Sequence, residues 1–265
     1  FNQDYSNPTG FVSAGTAYNT TGFFSYKTMQ YAYLKQSWES FSGSLLLMNN
    51  GFQEFDTNSD ADGVSNLQTL GTHLNYKKGS FGAAFNGFIQ TGKRQGEVDV
   101  KGAHLLGLDF TFKASPKVSL GAGIEIISGN DGDAGETGAF FPLYGTNHKF
   151  NGFMDYFYVG NHANSIGLVD IHVSANFKLS EASSLMVKAL NFSGEQDLPS
   201  GENALGTEID IVFKRKFKGY ALVAGYSQMF ASDGMYELKG ITEDAAASGQ
   251  NWAWAMLVIK PKFIN

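Results

Sequence analysis

Residues 140–159, FFPLYGTNHKFNGFMDYFYV, hold the densest group of side chains able to act on a solute. Eight rings (Phe140, Phe141, Tyr144, Phe150, Phe153, Tyr156, Phe157, Tyr158) stand with His148, Lys149 and Asp155 in a segment that follows neither strand alternation nor helical spacing. Flat rings beside polar groups suit a constriction or a sugar-stacking platform. The same composition also suits a loop that packs on itself and plugs or roofs a barrel. Both flanks alternate cleanly, so the segment is expected to be a long, structured loop, where a scaffold usually carries its function. His148, Asp155 and His162 offer metal-ligating atoms, but their loose spacing favours a hydrogen-bonded trio.

Two acidic stretches could hold a hard cation. DTNSDADG (Asp56, Asn58, Asp60, Asp62) and NDGDAGE (Asp131, Asp133) alternate oxygen ligands with glycine, as calcium-binding turns do. Neither completes an EF-hand, and a solvated acidic loop is the simpler reading. No other cofactor is expected. His172 and Ser174 share a strand face, which brings a base and a hydroxyl together without a recognisable nucleophile motif, so catalysis is not expected.

The elements that position these residues are strands. Met29, Tyr31 and Tyr33 alternate with polar or small neighbours, as do Leu70, Thr72, Leu74 and Tyr76, then Leu106, Leu108, Phe110 and Phe112, and Val169, Ile171 and Val173. About eleven strands are expected, joined by short turns and long loops in strict alternation. The polar stretches 54–66, 92–101, 193–203 and 231–250 read as loops, as do residues 1–22. One face of each strand is nearly all Leu, Val, Ile, Ala, Phe and Tyr, with aromatics near the ends. The opposite face carries Gly, Ser, Asn and charges. That combination is an antiparallel, up-and-down transmembrane β-barrel with a lipid-facing band, aromatic girdles and a polar interior.

Composition agrees. The 265 residues fit one barrel domain, and 32 glycines with 14% aromatics and no cysteine favour a turn-rich β chain without disulfides. A mean hydropathy of -0.18 fits alternation, which averages to near neutral. The formal net charge of -6 argues against nucleic acid as a partner. Bacterial single-chain barrels usually have an even strand number, so eleven strands and an aromatic ending (Phe263, Ile264, Asn265) imply that upstream strands precede Phe1.

The aromatic stretch, together with YKTMQYAYLKQSW followed by LLLMNNGFQ and the terminal NWAWAMLVIKPKF, resembles the alginate-export family of bacterial outer-membrane barrels. The resemblance implies an integral outer-membrane, porin-like barrel of about eighteen strands, of which this chain is the C-terminal part. It also implies passage of a polysaccharide or other small solute. Membrane lipid, lipopolysaccharide and a solute or oligosaccharide are the expected partners. The competing reading is a non-conducting structural barrel, partner to other outer-membrane proteins in a secretion or surface-lipoprotein complex.

The charges depart from a polyanion pore, which should be lined with cations. Arg94 and Arg215 are the only arginines, both near strand ends. The faces assigned inward carry Asp109, Glu125, Asp170, Glu208 and Asp210 against Lys188, Lys214 and His172, a mixed wall tending to acidic. Together with Phe141, Tyr144, His148, Lys149, Phe150 and Asp155 they form the expected pore lining or constriction. A salt-bridged wall that only stiffens the barrel is the alternative.

Overall fold

The computed structural model describes residues 26–58, 61–94, 96, 98–132, 135–144, 150–157, 162, 165–242 and 249–260. The loop expected over residues 1–22 and the aromatic ending lie outside them. Eleven long strands follow one another around a single antiparallel sheet. In chain order they are β1 (Thr28–Ser37), β2 (Phe41–Phe55), β3 (Ala61–Lys78), β4 (Phe81–Arg94), β6 (His104–Ser115), β7 (Val118–Ile127), β9 (Leu168–Lys178), β10 (Ser183–Ser193), β11 (Ala204–Lys216), β12 (Tyr220–Ala231) and β13 (Gln250–Ile259). Two short strands, β5 (Val98–Val100) and β8 (Glu136–Thr137), pair in parallel with each other at the loop end, and β5 also pairs with β4. Among the described residues β1 and β13 each have one neighbour.

Every connection expected as a tight turn joins one strand to the next in register, for example Lys78 opposite Phe81. Because side chains alternate across a strand, the register sorts the whole chain into two faces. Outward stand Leu45, Leu47, Leu70, Leu106, Leu108, Phe110, Leu120, Ile171, Val173, Ile211 and Leu222, each more than a third exposed. A contiguous apolar surface of this extent is the surface that lipid covers. At the turn end Trp38 stacks on Phe41, Tyr76 and Phe110 lie against Phe81, and Phe217 stacks on Tyr220, which forms an aromatic girdle.

The structure corrects the loops. Residues 54–66, expected to be a polar loop, largely continue β2 and β3, which are 15 and 18 residues long. Residues 231–250 contain a helix, α1 (Asp233–Lys239), closed by Gly240 at φ 63°. The two faces of β12, indistinguishable from its residue types, are separated by burial: Val223, Ser227 and Met229 point inward.

The protein's buried residues lie inside the sheet's curve, where loops meet the inner wall. One cluster joins Phe157, Leu168, Leu190, Phe192, Leu198, Leu205, Met229 and Met235, with Met154, Tyr156 and Leu238 against it. The other joins Phe52, Leu67, Val100, Ala103 and Phe140. Both clusters take residues from the aromatic loop.

Candidate functional site

The inner wall is built by the register. Glu125 of β7 faces Asp170 of β9, Gly123 faces His172, and Lys188 of β10 faces Asp210 of β11. His172 Nε2 lies 2.9 Å from Asp109 Oδ1, and its Nδ1 lies 3.3 Å from Asp170 Oδ1. A Cβ on Gly123 would stand 2.5 Å from His172 Nε2 and 2.6 Å from Asp109 Oδ1, so glycine makes room for this pair. Both imidazole nitrogens are engaged by carboxylates rather than by Ser174.

The aromatic loop lies against this wall in two arms. It leaves β7 with Ser128, whose hydroxyl donates to the Gly138 carbonyl at 2.7 Å, and the β5–β8 pairing steers it inward. In the first arm, residues 139–144, the Phe141 amide donates to Gln90 Oε1, and Gln90 Nε2 donates back to the Phe141 carbonyl, both at 2.8 Å. Phe141 is buried, with the Arg94 guanidinium 4.0 Å from its ring centroid. Asn50 Nδ2 donates to the Tyr144 hydroxyl, and Tyr26 meets the Tyr144 ring edge-on. Burial, with Tyr26 adding and the Asn50 bond opposing, pushes the Tyr144 phenol above its ordinary range.

The second arm, residues 150–157, is held by carboxylates. Asn151 Nδ2 donates to Glu125 Oε1 at 3.0 Å and to Asp170 Oδ2 at 3.3 Å. The amides of Phe153 and Met154 donate to Glu208 Oε1 at 2.6 and 3.0 Å. Asn151 and Gly152 have φ of 57° and 88°, which turns the following two N–H groups toward Glu208. A Cβ on Gly152 would fall 2.5 to 2.7 Å from the Glu208 carboxyl atoms, so the carboxylate occupies the room a side chain would need. A net hydrogen bond contributes about 0.5–1.5 kcal/mol, so the two bonds to Glu208 together offset backbone strain on the order of 1–3 kcal/mol. Among the described residues the three non-glycine positive-φ positions, Tyr144, Asn151 and Asp155, all belong to this loop.

Beyond the clamp, Phe157 packs on Phe192 with centroids 4.8 Å apart, and His162 meets its ring edge-on at 5.1 Å. His162 Nε2 lies 2.9 Å from the Gly167 carbonyl and from Ser165 Oγ. Burial pulls the His162 imidazole down to about 4; the bond to Gly167 opposes this and the Lys239 charge adds to it. Lys239 of α1 donates to the Tyr156 carbonyl at 2.6 Å, and burial lowers its own pKa. The helix thereby ties the second arm from above.

Asn50, Gln90, Glu125, Asp170 and Glu208 lie on five different strands, yet each stands seven to nine residues from the turn-end residue of its strand. The two arms therefore reach from the β2–β4 side of the wall to the β7–β11 side at nearly one level.

The remaining expected residues fall as follows. Glu208 and Asp210 are 0% and 1% exposed. Ser227 donates to Asp210 Oδ1. Phe150 is half exposed, and Lys214 is exposed at the turn end of β11. His148, Lys149, Asp60 and Asp133 lie outside the described residues. Asp56 caps its own turn, accepting the Asn58 amide at 2.9 Å, and among the described residues no three acids or histidines converge as a metal site. Gln90, Asn50, Asn151 and Gly152, which hold the loop, had no distinguishing mark in the sequence.

Solved structures of outer-membrane barrels share this architecture. OccAB4 of Acinetobacter baumannii superposes with a TM-score of 0.52 at 16% identity, over 88% of this chain and 54% of that one. OccK10 (OpdN) of Pseudomonas aeruginosa gives 0.53 at 15%, over 88% and 61%. The P. aeruginosa outer membrane protein OpdK gives 0.51 at 11%, over 88% and 58%. The chain has the fold of an outer-membrane β-barrel. It spans a little over half the length of these barrels, and its outward apolar band makes it an integral membrane protein of that class. No protein-family model matches the chain, and no curated protein does.

Proposed function

We propose that the protein is a porin-like channel for a small solute, with the loop of residues 139–157 forming its constriction. The observation that carries this reading is the placement of the loop's two arms, which lie on the inner wall at nearly one level and are bonded to side chains of β2, β4, β7, β9 and β11. The anchors stand two to five residues inside the loop ends of their strands, so the arms rest on the inner wall within that mouth rather than on the strand tips. The resemblance to the alginate-export family would add a polysaccharide as cargo. Against a polyanionic chain stands the loop itself, whose arms occupy the inner wall beside Glu125, Asp170 and Glu208. A small solute fits the geometry better.

Single-channel recording of the full-length protein in planar bilayers tests this. Steps of current are expected, and the Gly152→Val variant, which expels the second arm, is expected to pass more current per step than wild type. A barrel that inserts and never conducts would establish the non-conducting, partner-type reading instead.

A further inference from the structure

Resting on the channel reading, we propose that the turn-end mouth is an anion-gathering tier: an inward lysine near the turn end of each of five alternate strands, with Lys216 beside Lys214 on β11, together collecting small solutes that bear two or more negative charges. The register places Lys35 (β1), Lys77 (β3), Lys113 (β6), Lys178 (β9) and Lys214 (β11) on the same face as His73, Asp109, Glu125 and His172. Each stands within two residues of the turn end of its strand. In the sheet they recur on every second strand, because β1, β3, β6, β9 and β11 are separated by β2, β4, β7 and β10.

Three further observations give this pattern its meaning. First, all five lysines are exposed, and Lys35, Lys77, Lys113 and Lys214 have no side-chain hydrogen bond or ion pair among the described residues. Lys178 holds the exposed Glu181 at 2.6 Å. Second, their cross-strand neighbours are mostly short and carry no carboxylate. Lys35 faces Ser44, Lys77 faces Gly82, Lys113 faces Ser119, and Lys178 and Lys214 flank Ser184. Among the described residues of this end, Glu39 and Glu181 are the only acids. Third, the acids of the wall are already engaged: Asp170, Glu208 and Asp210 are buried, Glu125 holds Asn151, and Asp109 is paired with His172.

The electrostatic consequence reverses the sign expected from residue counts. A solute at the turn-end mouth meets ammonium groups, while the carboxylates above it are engaged by the loop, by His172 or by Ser227. Unneutralised like charges around a low-dielectric rim repel one another and raise the local concentration of counter-ions. Strands lie about 4.8 Å apart, so consecutive lysines are roughly 10 Å apart at the backbone. Two flexible lysine stems span that distance and converge on one ligand, which favours a dianion over a monoanion. Short turns lie on the periplasmic side of such barrels, so the tier faces the periplasm.

Two measurements on the full-length protein decide the matter. Binding of radiolabelled citrate to the detergent-solubilised barrel is expected, with acetate competing poorly. The Lys113→Gln/Lys214→Gln variant should bind about tenfold more weakly, the low end of what a charged mouth does to local ion concentration. Lys78→Gln, a control at the same end on the outward face, should bind as wild type does. In bilayers under a potassium chloride gradient, the reversal potential should show chloride preferred over potassium, and the double variant should lose that preference. Citrate that does not bind, or binds equally to the double variant, overturns the tier. Citrate that binds through these lysines to a barrel that never conducts keeps the tier and removes the channel.

Discussion

The two arms of the crossing loop are held by opposite chemistries. The first arm rests on neutral hydrogen bonds, a mutual pair between Gln90 and the Phe141 backbone and the Asn50 amide on Tyr144, with aromatic burial beside Phe52 and Leu67 and the Arg94 guanidinium over the Phe141 ring. The second is gripped by the carboxylates of Glu125, Asp170 and Glu208 and backed by the buried, neutral His162. Neutral amide pairs leave nothing to titrate, so the first arm is a fixed abutment. A buried imidazole held neutral can take up a proton, so the second arm is where acidity acts on the loop. The chain has thus divided one loop into a permanent and a conditional half.

Four perturbations test that division through amide hydrogen exchange of the two arms. The largest effect is expected from Gly152→Val, which forces a branched side chain into the space of the Glu208 carboxylate at a φ of 88°. It should cost about 3 kcal/mol and speed exchange at Phe153 and Met154 roughly a hundredfold, with Phe141 unchanged. Acceleration at Phe141 as well would show that the arms open as one. Next comes Gln90→Leu, which strands a buried N–H and carbonyl and should loosen the first arm by about 2–3 kcal/mol while sparing the second.

Acidification should act only on the second arm. His162 is held at about 4, below its ordinary 6.5, so an opened loop binds the proton first. Its contribution is complete above pH 6.5 and is lost as pH falls toward 4, at about 1.4 kcal/mol per unit. At pH 5 His162 should contribute about 2 kcal/mol less to the second arm than at neutral pH, once intrinsic exchange rates are corrected for, and the difference in slope between wild type and His162→Gln measures that part. Equal weakening of both arms would mean that another group governs the loop. The smallest effect belongs to Tyr144→Phe, which removes one partly exposed acceptor and should cost about 0.5–1 kcal/mol in the first arm alone.

The barrel was legible because its signal is local. A period of two with apolar residues on one side is written into each strand, and a one-residue slip would move every Leu and Phe off the lipid face. The extensions of β2 and β3 are hidden because, above the lipid band, strands no longer need that alternation: Glu54 and Phe55 of β2 and DGVSN of β3 are strand that reads as loop. Helix α1 escaped notice because seven residues, DGMYELK, are too few to show a helical period. The wall's acids were placed on the correct face, but their task was not. Whether Glu208 meets a solute or a loop amide depends on Asn151 and Gly152, 55 or more residues away in sequence, and neutral amides carry no mark of the partner they will find. Of the lysine tier only Lys214 is marked in the sequence, as a counter-charge to acids, whereas the recurrence of an inward lysine near the turn end of alternate strands becomes apparent only when the strand ends are known.

The loop anchors lie seven to nine residues above the turn end, and the lysines within two of it. At about 3.3 Å per residue on strands tilted near 45°, some 15 Å of height separates the two levels. That exceeds the Debye length of about 8 Å at physiological salt. Substitutions in the clamp and in the lysine tier should therefore combine additively, and on the channel reading the chain carries two independent dials, one for the width of the passage and the other for the charge that approaches it.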